Sequence, residues 1–133
     1  MEIHSLIKID FYFTGDQFDI ADITNKMGIT PTGSRTRDSF PPSGLAHMEW
    51  SIQYTAENCN AVSVPFESLV CLLKDKKDTI NSICTDYNVR SAFNVVIHME
   101  EAYGPEIVLT KNILSFASAI NAEICFDIYN DMK

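Results

Sequence analysis

Apolar and polar residues alternate in four stretches of the chain, and each of these stretches predicts a strand. From Ile7 to Thr14 the odd positions are Ile or Phe, and the even positions are polar or amphipathic. The same two-residue period recurs over residues 47–54, 90–101 and 123–129, and it is typical of a strand with one buried side. We therefore expect a sheet covered by helices on one face and open to solvent on the other.

A short, well-capped helix is predicted directly after the first strand, over residues 20–27. Asp19 can cap its N-terminus, and Phe18 and Ile23 occupy the two positions of a hydrophobic staple. Gly28 supplies the left-handed residue that commonly ends a helix.

Helical spacing of apolar residues appears again between the later strands. It predicts two short helices, or one bent helix, over residues 65–87, and a further helix capped by Thr110. Residues 106–109 form either a short edge strand or the lead into that helix. In the last strand we expect Ile124, Phe126 and Ile128 to face the core.

This order of elements indicates one α+β domain over residues 1–133. We expect a single antiparallel-rich sheet with helices packed on one face, in a ferredoxin-like arrangement or a variant of it. Trp50, the single tryptophan, lies on the apolar side of its strand and is interpreted as a core anchor.

The stretch 30–46 is predicted to be a loop, because it holds three of the five prolines and two of the five glycines. It carries Arg35 and Arg37, two of the three arginines in the chain. Two interpretations remain open, namely a loop that contacts an anion or a partner and a solvated connection.

The charge balance disfavours some partners and favours others. The chain has 18 acidic and 10 basic residues, a formal charge of −8, so we expect no direct binding to nucleic acid, which needs a basic surface. A basic protein partner is electrostatically favoured. No stretch approaches the roughly 18 apolar residues of a membrane span, and the first residues do not resemble a signal peptide. We expect a cytoplasmic protein that does not bind membranes.

The four cysteines are Cys59, Cys71, Cys84 and Cys125. None belongs to a C-x-x-C pair, so we expect free thiols, three of them packing as small apolar side chains. A zinc site or disulfides are the less favoured alternative. The chain has no glycine-rich phosphate loop and no nucleophile elbow, and we expect no cofactor and no metal.

The polar side of the predicted strands carries the candidate binding residues. If these strands form one sheet, their polar side chains share its open face. The candidates for binding a partner are Asp10, Tyr12, Glu49, His98, Glu100, Glu123 and Asp127. Such a face could mimic phosphates to a basic partner, or it could be an ordinary solvated surface.

An enzyme is the least favoured interpretation. His98 with Asp127 or Glu49 could form an acid–base pair, but no spacing in the sequence requires these residues to meet. We expect no catalytic residues and no enzymatic activity.

Several structural motifs of the chain resemble a bacterial family of small domains described only as domain of unknown function 4279. They are Gly15 after the first strand, the sequence Met-Gly-Ile-Thr-Pro over residues 27–31, the long loop leading to Trp50, and the closing strand 124–129. Leu is more usual than Met27 in the family, and the middle helices and the loop 30–46 carry no matching motif.

The resemblance implies an α+β domain without known catalytic residues. Some small acidic bacterial domains of this kind resemble immunity proteins. That resemblance implies a protein that neutralises a cognate toxin by direct binding, and we expect a basic toxin domain such as a nuclease as the partner. The alternative is a small-molecule-binding or regulatory module, with a pocket between the loop 30–46 and the sheet.

Overall fold

The computed structural model describes residues 5–36, 48–99 and 104–130, which form an open five-stranded sheet with helices on one face. The strands are β1 (Ser5–Gly15), β2 (Gly33–Arg35), β3 (Met48–Ala56), β4 (Arg90–Met99) and β5 (Glu123–Asn130). The helices are α1 (Ile20–Met27), α2 (Ser63–Leu73), α3 (Lys77–Tyr87) and α4 (Lys111–Ala119).

The strand order across the sheet is β2-β3-β1-β4-β5. The central strand β1 pairs antiparallel with both β3 and β4, and β5 pairs parallel with β4 after the crossover through α4. The predicted α+β class and the antiparallel-rich sheet are confirmed. The single parallel pair, β4 with β5, lies at one edge of the sheet.

The caps predicted for α1 are confirmed. The Asp19 side chain accepts a hydrogen bond from the backbone N–H of Asp22 at 3.2 Å. Gly28 has a φ of 66°, and its N–H donates to the carbonyl of Thr24 at 2.9 Å. Both ends of this short helix therefore have partners for their free backbone groups.

The region 65–87 forms two helices, since a 3₁₀ turn at Lys74–Lys76 separates α2 from α3. Asn88 then takes a left-handed conformation, with a φ of 53°, and turns the chain into β4. Thr110 caps α4 by accepting from the N–H of Ile113 at 3.2 Å. Before it, Glu106 makes only an isolated bridge to Ala61, so residues 106–109 lead into the helix.

Aromatic rings fill the space between the sheet and the helices. Phe11 contacts Phe13 and Phe93, with ring centroids 5.1 and 5.3 Å apart, and Phe13 contacts Trp50 at 5.6 Å. Trp50 is fully buried, and its indole N–H donates to the hydroxyl of Thr24 at 2.9 Å. The interpretation of Trp50 as a core anchor is confirmed.

Two expectations about the edges of the sheet need correction. Residues 33–35 lie within the predicted loop but form β2, which pairs with β3. On β5, Ile124 packs against the core, whereas Phe126 and Ile128 remain 38% and 53% exposed. Both corrections arise because pairing and cover at an edge depend on neighbours that are distant in sequence.

The cysteines also differ from the expectation. All four are free; Cys59 and Cys84 pack partly against the core, while Cys71 and Cys125 are exposed. None of the helices within the described ranges is both long enough and apolar enough to span a bilayer.

Candidate binding site on the open sheet face

The even-numbered side chains of β1 lie on the face opposite to the helices. Tyr12 is in register with Ser51 of β3 and Ala92 of β4, and Asp10 is in register with Gln53 and Asn94. The alternation along each strand puts the core residues of β1 on the helix side, and its polar residues on the open face.

The register brings six of the seven candidate partner-binding residues onto this face. They are Asp10, Tyr12, Glu49, His98, Glu123 and Asp127. Glu100 and Arg37 lie outside the described residues. Arg35 lies on β2 opposite Glu49, so it belongs to the same face and is not part of a free loop.

Three cross-strand contacts hold the carboxylates of the face in place. The amide of Gln53 donates to Asp10 at 2.9 Å. The amide of Asn94 donates to Asp127 at 3.1 Å. Arg35 forms an ion pair with Glu49.

Burial changes the acid–base properties of two side chains on the central strand. Loss of water raises the pKa of Asp10 above its ordinary value, against the lowering effect of the Gln53 hydrogen bond. Burial likewise raises the pKa of Tyr12, and the nearby Cys125 and Glu49 reinforce the shift. A raised tyrosine pKa keeps the phenol neutral, so Tyr12 can donate a hydrogen bond at any physiological pH.

The open face carries cations as well as carboxylates. Arg90 lies opposite Thr14, and Arg35 and Lys8 also lie on this side. Among the described residues of the face these three cations accompany four carboxylates, and Arg35 is already engaged by Glu49. The acidic part of the face is therefore concentrated on β5, at the exposed residues Glu123 and Asp127.

A cavity of about 710 Å³ opens at the end of the sheet where β4 and β5 begin. Its walls come from the open face, from the end of α3 and from the turn between α4 and β5. Residues that line it include Tyr12, Cys84, Arg90, Ala92, Asn121 and Glu123. None of the described residues of the stretch 30–46 lines it, so the cavity is not the pocket expected beside that loop.

A comparison with known protein families decides the assignment of the chain. The family described as Domain of unknown function (DUF4279) matches residues 5–131. The chain belongs to this family. Comparisons with curated proteins and with solved structures returned no match. The resemblance to this family is thus confirmed. In the DUF4279 domain Gly28 ends α1, Trp50 is buried in the core, and Gly15 passes so close to Val89 that a Cβ at this position would lie 2.7 Å from the Val89 side chain.

The structure separates one of the two acid–base pairs considered above. In the DUF4279 domain, His98 pairs with Leu6 and Glu49 pairs with Thr14, about 26 Å apart along β1 at the usual rise of a strand. His98 stacks on Tyr129 with ring centroids 4.9 Å apart. Asp127 lies two residues before Tyr129 and is the next residue on the same face of β5. Among the described residues no three His, Cys, Asp or Glu side chains are grouped to hold a metal ion.

Sequence reasoning named Tyr12 and Glu123 but missed the other residues that line the cavity of the DUF4279 domain. Several of these lie at or beside two turns that are far apart in sequence, and both turns contain a left-handed asparagine, Asn88 and Asn121. Asparagine between a helix and a strand signals such a turn, but it does not show that the two turns lie side by side. Only the parallel pairing of β4 and β5 brings them together.

Proposed function

We propose that this DUF4279 protein is a non-enzymatic binding protein that occludes a basic protein partner with its open sheet face. The partner class that best fits is a toxin domain such as a nuclease, and the protein would then serve as its immunity protein in the bacterial cytoplasm. The observation that carries the proposal is the register that aligns Asp10, Tyr12, Glu123 and Asp127 on one face that none of the described helices covers.

The charge of the chain supports a basic partner. The formal charge is −8, and the two carboxylates of β5 are exposed, so a cationic surface would be attracted and oriented before contact. Carboxylates on a rigid sheet can occupy the positions of nucleic-acid phosphates in a nuclease site. Binding of this kind is expected to weaken as salt screens the charges.

The aromatic residues of the face support a protein partner in particular. Tyr129 is half exposed and is held by its stack on His98. Tyrosines that are already ordered lose little entropy on binding, and they are enriched among the residues that dominate interface energies.

The test is co-expression with the product of the adjacent gene, followed by charge reversal. Glu123→Lys with Asp127→Lys is expected to lower affinity for the toxin at least about tenfold, which corresponds to about 1.4 kcal/mol, and to abolish protection of cells. The matched control is Asp75→Lys with Asp86→Lys, which makes the same charge change at exposed positions of the helical layer. If both variants fold as the wild type does by circular dichroism, and both bind the toxin and protect cells equally, the open face is not the binding surface.

The cavity at the start of β4 and β5 favours a second candidate, a small-molecule-binding or regulatory module. Its 710 Å³ falls within the usual range of ligand sites, about 300–1,000 Å³, and Arg90 and Glu123 offer opposite charges to a polar ligand. A thermal-shift screen of metabolites is expected to give a stabilising compound whose effect disappears in Ala92→Leu, which fills the cavity. A screen without any such compound would leave only the protein-binding proposal.

A further inference from the structure

The outer edge of β5 exposes an apolar surface that no described element covers. Phe126 and Ile128 point to the helix side of the sheet and are 38% and 53% exposed. Leu114 of α4 is 49% exposed and lies about 160° around the helix from Asn112, whose amide donates to Glu67 of α2 at 2.6 Å. Leu114 therefore lies on the flank of α4 that is turned away from α2.

The sequence of β5 has few of the features that usually protect an edge strand. Natural edges are interrupted by proline or bulges, or they carry charged side chains, above all lysine; the charges of β5 are two carboxylates, Glu123 and Asp127, both on the open side. The eight residues Glu123–Asn130 contain no proline, glycine, lysine or arginine, and β5 is the last strand in the order of the described sheet. An edge of this kind is suited to pair with another strand.

We propose that β5 pairs antiparallel with β5 of a second copy of this chain, centred on Phe126, so that the two sheets form one ten-stranded sheet. In this register Phe126 faces its own counterpart, and Ile124 of each copy faces Ile128 of the other on the helix side. On the open side Glu123 faces Tyr129 and Cys125 faces Asp127. On the helix side every apolar residue of the strand thus meets an apolar residue, and on the open side no carboxylate lies directly opposite a carboxylate.

Charge excludes the neighbouring registers that keep the faces of the two sheets aligned. Centring the pair on Cys125 would place Asp127 directly opposite Glu123, and centring it on Asp127 would place that residue opposite its own counterpart. Like charges directly opposite each other destabilise a strand pair. In the proposed register the two Asp127 residues are diagonal neighbours, and the hydrogen bond from Asn94 draws each carboxylate towards β4 and away from the interface.

The second copy is favoured over an unrelated strand because the pattern of β5 is complementary to itself. In an isologous interface every contact between two residues occurs twice, so each residue must be compatible with the one it faces. The register centred on Phe126 meets this condition along the whole strand. The pairing leaves the open face accessible and joins two such faces side by side. It therefore does not depend on the function proposed above.

The oligomeric state tests the pairing first. Light scattering behind size exclusion is expected to give twice the chain mass of 15.0 kDa, falling towards one chain mass on dilution. Phe126→Lys places two like charges at the centre of the interface and is expected to give one chain mass throughout. The control Val64→Lys also replaces an apolar residue with lysine, at a 59% exposed position of α2, and is expected to remain dimeric. One chain mass for the wild type at every concentration, or a dimer of Phe126→Lys, would overturn the proposal.

The salt dependence gives a second criterion. Each copy carries a formal charge of −8, so the dimer is expected to persist or tighten as salt rises. A dimer that dissociates with salt would contradict an interface built on apolar and main-chain contacts.

Cross-linking tests the register. In a Cys71→Ser background, which removes the other exposed thiol, Asp127→Cys is expected to form a disulfide with Cys125 of the second copy under mild oxidation. Glu123→Cys makes a matched control, because position 123 faces Tyr129 in the proposed register. A cross-link in the control, or in the background chain through Cys125 alone, would identify a different register and reject the one proposed.

Discussion

At the scale of single residues, Asp10 shows how the open face differs from a merely solvated one. It lies on the central strand, between Gln53 of β3 and Asn94 of β4. Its neighbours withdraw the carboxyl from water, and this burial raises its pKa above the ordinary value of 3.8. A carboxylate in this environment is held in one orientation by Gln53.

The raised pKa of Asp10 predicts a dependence of stability on pH. The folded protein binds the proton of the Asp10 carboxyl more tightly than the unfolded chain does. The stability gained from this protonation is therefore fully present below pH 3.8 and is lost as pH rises through the folded pKa. Asp10→Asn keeps a neutral acceptor for Gln53, and we expect its melting temperature to exceed that of the wild type at pH 7. The difference should narrow as pH falls towards 4, as followed by thermal melts.

The control for this measurement is Glu57→Gln, which neutralises an exposed carboxylate after β3. Its melting temperature is expected to follow that of the wild type across the same pH range. If the difference between Asp10→Asn and the wild type does not change with pH, the shifted ionisation is not the cause.

The sequence predicted the placement of these single residues only in part. The alternation alone predicted the face of the sheet on which these residues lie, because neighbouring residues of a strand point to opposite faces. They are Asp10, Tyr12, Glu49 and Asp127. The hydrogen-bond partners did not follow, since Gln53 and Asn94 become neighbours of these carboxylates only through the register of three strands.

At the scale of elements, one hydrogen bond joins α1 to β3. The hydroxyl of Thr24 accepts from the indole of Trp50 and donates to the carbonyl of Ile20 at 3.0 Å. Trp50 is fully buried, so its N–H has to find a partner within the protein. The bond thus fixes the position of the helix over the sheet.

Thr24→Val is expected to lower the free energy of unfolding by about 1–3 kcal/mol, because it leaves the buried indole N–H without its acceptor. Thr85→Val is a matched control, since Thr85 makes the same bond to the carbonyl four residues earlier but is exposed on α3. Both are measured by urea denaturation. In a Trp50→Phe background Thr24→Val should lower the free energy of unfolding very little, because the indole N–H is gone. An unchanged loss would show that the hydrogen bond to Trp50 is not its cause.

The elements themselves were predicted unequally. The helix α1 was predicted in full because its cap, staple and glycine all act within a few residues. The strand β2 was missed because its three residues carry no alternating pattern and are extended only by pairing with β3.

At the scale of the whole molecule, the order of the strands sets the distribution of stability. The apolar residues of β1 from Ile7 to Phe13 are fully buried, and the strand is paired on both sides. The strands β2 and β5 lie at the two edges of the described sheet. Local opening is therefore expected to begin at the edges and to reach β1 last.

Hydrogen exchange can measure this distribution. Amides of β1 are expected to exchange most slowly, with β3 and β4 next and β2 fastest. For β5, protection should increase with protein concentration in the wild type and remain constant in Phe126→Lys, since pairing with a second copy covers its outer amides. Exchange in β1 as fast as in β2 would contradict the central position of β1.

The sequence by itself determined the strand and helix periods, the caps of α1 and α4, and the face of the sheet on which each strand residue lies. These features depend on interactions within a few residues of the chain. Only the tertiary structure decided that β1 lies in the centre, that β5 pairs parallel at an edge with Phe126 and Ile128 exposed, and that two distant turns enclose a cavity. These features depend on which strands become neighbours, and the local pattern of a strand is compatible with more than one neighbour.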